Sequence, residues 1–190
     1  MKNKSVFLIA ILMVLFSTGP AGAVSLQPDP VDLCDLSHGM YYEWGIDWSI
    51  PPGETIVAAS LFFDDIRNWN GESNDLYVHL LDNPDVGTFS YCDTKSGNEF
   101  EDQGILLNHW EDLSDTAQDI TYDFDADELL ALNQYAADGN FGFGFDPDCH
   151  FYNDGITFTF ETSAIPIPGA FFLLASGLIC LVGIRRKFFV

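Results

Sequence analysis

Cations are nearly missing from this chain. Among 190 residues there are seven Lys or Arg against 29 Asp or Glu. Lys2 and Lys4 stand at the N-terminus, and Arg185, Arg186 and Lys187 at the C-terminus. Every acid lies between Asp29 and Glu161, where only Arg67 and Lys95 oppose them. Two cations against 29 acids leave that stretch with a formal charge of −27. Nucleic acid is excluded as a partner, because phosphates are held by Lys and Arg. An anionic membrane surface is excluded for the same reason, and the self-repelling charge favours a soluble, cation-screened state. Catalytic signatures are absent as well: there is no Gly-x-Ser-x-Gly and no His-Glu-x-x-His. The chain therefore reads as a non-enzyme, with a secreted carboxylate-dependent hydrolase as the alternative, since 29 acids always include pairs at useful spacing.

Long apolar runs occur only at the two ends. Residues 1–23 have Lys2 and Lys4, then Val6 to Phe16, then Ala21-Gly22-Ala23. This is the order of a secretory signal peptide, with cleavage expected after Ala23 by a signal peptidase. At the other end Ile165-Pro166-Ile167-Pro168 precedes an uncharged run over 169–184 and then Arg185-Arg186-Lys187. Proline fixes φ and removes a donor, so a helix cannot start before Pro168. Residues 169–184 as a helix would span roughly 24 Å, short of a bilayer core of about 30 Å but within reach of flanking residues and thinning. The basic cluster would hold the terminus in the cytoplasm. Three segments follow: a signal peptide over 1–23, an exported domain over 24–163 and a membrane-directed tail over 164–190. A plain single-pass membrane protein with an outward domain is one alternative reading of this order.

Pro-x-Pro, a short apolar helix and a terminal Arg-rich cluster resemble the PEP-CTERM sorting signal of Gram-negative bacteria, in its VPLPA-type variant. The residues that carry the resemblance are Ile165-Pro166-Ile167-Pro168, Gly177 to Ile184, and Arg185-Arg186-Lys187. Ile167 departs from the Glu of the common form, and Gly169 from the Ala of the variant. The resemblance implies recognition by an exosortase, a membrane-embedded cysteine transpeptidase. It also implies a transient stay in the inner membrane and delivery to the cell surface or the exopolysaccharide matrix.

Between the ends the chain is rich in aromatic residues, which disordered acidic chains lack. Its dominant period is two. Tyr42 to Trp48, Ile120 to Phe124, Phe141 to Phe145 and Ile156 to Phe160 alternate apolar and small or polar residues, and Thr55 to Phe63 and Leu76 to Leu81 are apolar and partly β-branched. Such runs read as strands with one buried face. Pro51-Pro52-Gly53, Asn70-Gly71, Asn83-Pro84, Asp138-Gly139 and Asp154-Gly155 separate them. Asp125 to Ala137 instead shows helical spacing, with Asp125 or Asp127 as N-cap. The expectation is a mainly β, two-sheet antiparallel sandwich of about eight strands with one inserted helix. The pattern is similar to the carbohydrate-binding jelly rolls of many secreted proteins.

The densest polar stretch, Asp146 to Gly155, lies between two predicted strands. Calcium takes hard oxygens from such loops, so Asp146, Asp148, Asn153 and Asp154 are candidate ligands, joined by Asp64 and Asp65. Gly142-x-Gly144-x-Asp146 is similar to a single unit of an RTX calcium repeat. Ordinary turn chemistry explains the same residues equally well. His150 beside Asp148 is a candidate acid–base pair. Outside the tail there are Cys34, Cys92 and Cys149; in an oxidising compartment one pair is expected, and Cys92–Cys149 is favoured. Trp69, in a polar loop, is the candidate for stacking on a sugar ring, with Trp110 second.

Overall fold

The computed structural model describes residues 22–94 and 97–165. The h-region, Pro166, Ile167, Pro168, the apolar run at 169–184 and Arg185, Arg186 and Lys187 lie outside the described residues.

Ten strands and one helix follow in the order β1 (Gly22–Leu26), β2 (Met40–Asp47), β3 (Glu54–Asn68), β4 (Asp75–Asp82), β5 (Gly87–Cys92), β6 (Ile105–Glu111), β7 (Gln118–Asp123), α1 (Ala126–Tyr135), β8 (Asn140–Pro147), β9 (Phe151–Tyr152) and β10 (Gly155–Ala164). They form two antiparallel sheets. The first has the order β1-β10-β3-β7, with β9 paired to β3. The second has the order β5-β2-β8-β4-β6. The chain crosses from one sheet to the other at each of its first three connections, so sequence neighbours are not sheet neighbours there.

Alternation decides which side chains meet. Phe141, Phe143 and Phe145 of β8 point to the first sheet, and Ile156, Phe158 and Phe160 of β10 point back; all six are at most 1% exposed. Phe143 and Phe158 meet at 4.8 Å between ring centres, and Phe63 of β3 meets Phe145 edge-on at 6.2 Å. Edge-to-face contact is the geometry ring quadrupoles favour. Each buried Phe contributes about 1.5–3 kcal/mol through the apolar area it removes from water. Glycine fills the opposite face of β8 for a steric reason. A Cβ on Gly142 would collide with the Trp44 carbonyl, and one on Gly144 would lie 2.8 Å from the Phe100 ring. Those glycines serve close packing, which explains the Gly-x-Gly-x-Asp run without a calcium repeat.

The helix appears where its spacing predicts it. Asp125 is the N-cap and forms a capping box with Glu128. Asn133 ties the helix to β3: its side chain accepts from the Ile56 amide at 2.8 Å and donates to the Ile56 carbonyl at 2.9 Å. The end of the sandwich near Glu54 also carries both exits of the described chain. Gly22 faces Thr162 and Ala164 faces Glu54. The Ile165 amide donates to the Gly53 carbonyl at 2.8 Å, so the Pro-x-Pro segment begins where the last strand stops. β1 starts at Gly22, two residues ahead of the cut expected after Ala23.

Candidate functional site

The opposite end of the sandwich is built by the end of β3, by β9 and by the turn before β2. β9 pairs with β3 through Arg67–Tyr152 and Asn68–Phe151. The Trp69 amide donates to the His150 carbonyl at 3.0 Å. Two stretches some eighty positions apart are thereby locked side by side. Buried Asn68 accepts from the Cys149 thiol at 3.3 Å and donates to the Glu72 carbonyl at 2.9 Å. Buried Asn74 donates to the same carbonyl at 3.0 Å. These bonds fix the Trp69–Ser73 loop from beneath.

The third wall comes from an unusual turn. Leu33, Cys34, Asp35 and Leu36 all have positive φ, between 38° and 59°. A left-handed run costs about 1–2 kcal/mol per residue without glycine. Full burial of Leu33 and Leu36 offsets it. Asn153 donates to the Asp32 carbonyl at 2.9 Å and holds the turn against β9. The turn delivers His38, whose Nδ1 donates to the Asp148 carbonyl at 3.1 Å.

Together these elements enclose an open cleft of about 570 Å³ lined by His38, Trp69, Glu72, Ser73, Asp148, Cys149, His150 and Tyr152. Trp69 is 57% exposed, far more than a structural tryptophan needs. Tyr152 carries the Arg67 guanidinium over its ring at 5.2 Å and meets His150 edge-on at 4.7 Å. His150 Nε2 is buried and has no partner among the described residues. Burial raises the Asp148 carboxyl above its ordinary range, and the Asp75 charge adds to this, against the pull of His38 and His109. Beside the cleft, on the outer face of the second sheet, His109 Nε2 donates to Asp75 Oδ1 at 2.6 Å. The His109 ring stacks on Tyr77 at 4.1 Å. No family model matches the chain, and no curated protein matches it in sequence.

Of the residues expected from the sequence, Trp69, Asp148 and His150 come together in this cleft. Trp110 instead packs edge-on against Phe63 at 5.5 Å. The expected calcium ligands divide. Asp64 and Asp65 lie with Asp119 in an exposed acidic cluster suited to a metal ion, their carboxylates within 4.8 Å of one another. Asp154 is adjacent, its amide donating to the Asp64 carbonyl at 2.9 Å. Desolvation and the charges of Asp119, Asp65 and Asp154 raise the Asp64 carboxyl. Asp146 is not part of that cluster: it is wholly buried on the outer face of β8, accepting from the Glu99 amide at 2.6 Å. Asn153 donates its amide to the Asp32 carbonyl, while its buried Oδ1 has no partner among the described residues. The acidic cluster among the described residues therefore draws on Asp64 and Asp65, with Asp154 beside it, and not on Asp146.

Cys34, Cys92 and Cys149 are free thiols, and Cys92 and Cys149 are not joined. Cys92 ends the exposed edge strand β5, while the Cys149 thiol is buried on Asn68. His38 and Glu72 had no signal in the sequence, because only the fold brings the turn and the loop to Trp69. Asp119 became visible only through β7 pairing with β3. Among the described residues no helix is long and apolar enough to cross a membrane.

Proposed function

We propose that the chain is an exported cell-surface or extracellular-matrix protein of a Gram-negative bacterium, sorted by an exosortase-type transpeptidase, whose jelly-roll sandwich binds carbohydrate without catalysis. The observation that carries the binding role is Trp69, 57% exposed in a cleft it shares with His38, Glu72, Ser73, Asp148 and His150. Sugars are held by such a combination: a ring face for the C–H surface, and fixed polar groups for hydroxyls. The jelly-roll reading is supported by the strand orders β1-β10-β3-β7 and β2-β8-β4-β6, with β5 added outside β2.

The sorting role rests on the tail's resemblance. It is supported by the position of Ile165, which leaves the sandwich at the end remote from the cleft. The inner membrane is then a transient station, and exopolysaccharide the natural partner. Calcium is the ion proposed for Asp64, Asp65 and Asp119, since exposed carboxylates are hard ligands.

Titration calorimetry of the full-length chain against exopolysaccharide fragments tests the binding role. Trp69→Ala should weaken binding by about tenfold, as expected for loss of one stacking ring. Absence of binding to any glycan, with and without calcium, would sink the proposal. A hydrolase remains the second reading because Asp148, with its raised carboxyl, neighbours the hydrogen-bonded Asp75–His109 pair. Release of reducing ends from a bound oligosaccharide, lost in Asp148→Asn, would establish it.

A further inference from the structure

The charge of the cleft narrows the kind of sugar it takes. Its lining holds the carboxylates of Glu72 and Asp148 and no Lys or Arg. Asp75 lies close enough to raise Asp148, and Glu111 groups with Asp75 and His109. The surrounding domain carries two cations against 29 acids, so its field attracts cations and repels anionic polysaccharides from a distance. Exposed Trp69 offers the ring that cations prefer. The molecule already uses a ring of this cleft in that way, with Arg67 over Tyr152 at 5.2 Å. The engagement of Arg67 with Tyr152 leaves Trp69 as the ring open to a ligand.

A neutral sugar satisfies Glu72 and Asp148 only as acceptors of hydroxyl hydrogen bonds. A protonated amine on the sugar adds charge-assisted hydrogen bonds, which are roughly twice as strong. It also returns a counter-charge to Asp148, which burial has partly stripped of water. An N-acetyl group would forfeit both gains, and a uronic acid would place like charge against like.

Resting on the carbohydrate reading above, we infer that the cleft recognises amino sugars with a free, protonated amine, as in a partly or fully de-N-acetylated polysaccharide, the ring lying on Trp69 and the ammonium at Asp148 and Glu72.

The test compares three trimers at physiological salt on the full-length chain in a mild non-ionic detergent: glucosamine, N-acetylglucosamine and a uronic acid. The glucosamine trimer is expected to bind about tenfold more tightly than the acetylated one, and the uronic trimer not at all. Glu72→Gln and Asp148→Asn should each shrink that preference, lowering affinity for the glucosamine trimer more than for the acetylated one. Because any acidic protein attracts cations diffusely, Trp69→Ala must weaken glucosamine binding at least fivefold, and the remote Asp127→Asn must not. If Trp69→Ala has no effect, the attraction is diffuse and the inference is overturned. Equal or tighter binding of the acetylated trimer overturns the inference and leaves the carbohydrate reading standing. If no trimer and no exopolysaccharide fragment binds, the carbohydrate reading falls and this inference with it.

Discussion

Asp146 should make the domain less stable as pH rises from 5 to 7, and Asp146→Asn should remove that loss. The side chain is 0% exposed. One oxygen accepts from the Glu99 amide at 2.6 Å; the other has no partner among the described residues. Burial pushes its carboxyl up to about 7; the Glu99 amide pulls the other way, and the charges of Asp93, Asp148 and Glu99 push further. Tyr41 and Tyr77 also feel its charge. An unfolded Asp titrates near about 3.9. Between these values the folded chain holds a proton that the unfolded chain has released. The native state binds more protons, so stability falls as pH rises and flattens above about 7.

Each pH unit is worth about 1.4 kcal/mol, so the two from 5 to 7 amount to at most about 3 kcal/mol. His79 works in the opposite sense. It is buried beneath the same loop, with its Nδ1 donating to the Gln103 carbonyl at 3.0 Å and its Nε2 accepting from Asn98 at 2.9 Å. Burial lowers its titration below the ordinary value, so its contribution is lost as pH falls. The difference between wild type and Asp146→Asn isolates the carboxyl. Urea unfolding at pH 5, 6, 7 and 8 supplies it, with exposed Asp123→Asn as the control for net charge. Asn keeps an acceptor for the Glu99 amide, so the variant should be the more stable protein at pH 8. A variant with the wild-type slope, or one less stable at pH 8, would refute the reasoning.

Gly144→Ala should destabilise by about 1–3 kcal/mol, read by urea unfolding, because its methyl would meet the Phe100 ring at 2.8 Å. Asn133→Ala should cost about 2 kcal/mol by the same measure, since it orphans both polar groups of Ile56. Calcium at about 100 times its Kd should add about 2.7 kcal/mol of stability. Asp119→Asn should abolish the gain, and an unchanged melting temperature with calcium or excess chelator would remove the ion. Mass spectrometry of the surface form should find Val24 at its start and no Arg185-Arg186-Lys187; an intact basic end would exclude sorting.

The strands legible in the sequence are those in which every second residue is a large apolar one packed between the sheets. Phe141 to Phe145 and Ile156 to Phe160 alternate because each second side chain enters the core. β5 carried no such signal, since it is an edge strand with Phe89, Ser90, Tyr91 and Cys92 all exposed. β6 was obscured by the irregularity between Val78 and His79 of its partner, which breaks the period near Leu106 and Leu107. The helix was legible because its cap is local: Asp125 and Glu128 satisfy each other's backbone three residues apart. Trp69 was legible as an exposed ring in a polar loop. Its companions His38 and Tyr152 were not, because they reach it through pairings that composition does not encode. Asp146 lies apart from the Asp64–Asp65–Asp119 cluster, because spacing along a chain does not say on which face of a strand a carboxylate lies.

The exits of the described chain and the cleft lie at opposite ends of the sandwich. Gly22, Thr162 and Ile165 gather at one end, beside Gly53 and Glu54. Tyr152, Arg67 and Trp69 gather at the other. β10 runs ten residues between them, about 30 Å at roughly 3.3 Å per residue. A chain held by its C-terminus would therefore present the cleft away from the attachment, whether that is the inner membrane during export or the matrix afterwards. The hydrogen bonds described for the cleft all lie between Asp32 and Asn153. A chain ending at Ile165 should bind the glucosamine trimer with the affinity of the full-length protein, within about twofold, a difference under about 0.5 kcal/mol. In cells the same truncation should shift the protein from the surface fraction to the periplasm and medium. Lost affinity would mean that the tail helps to build the site; retained surface attachment would mean that the tail is not the address.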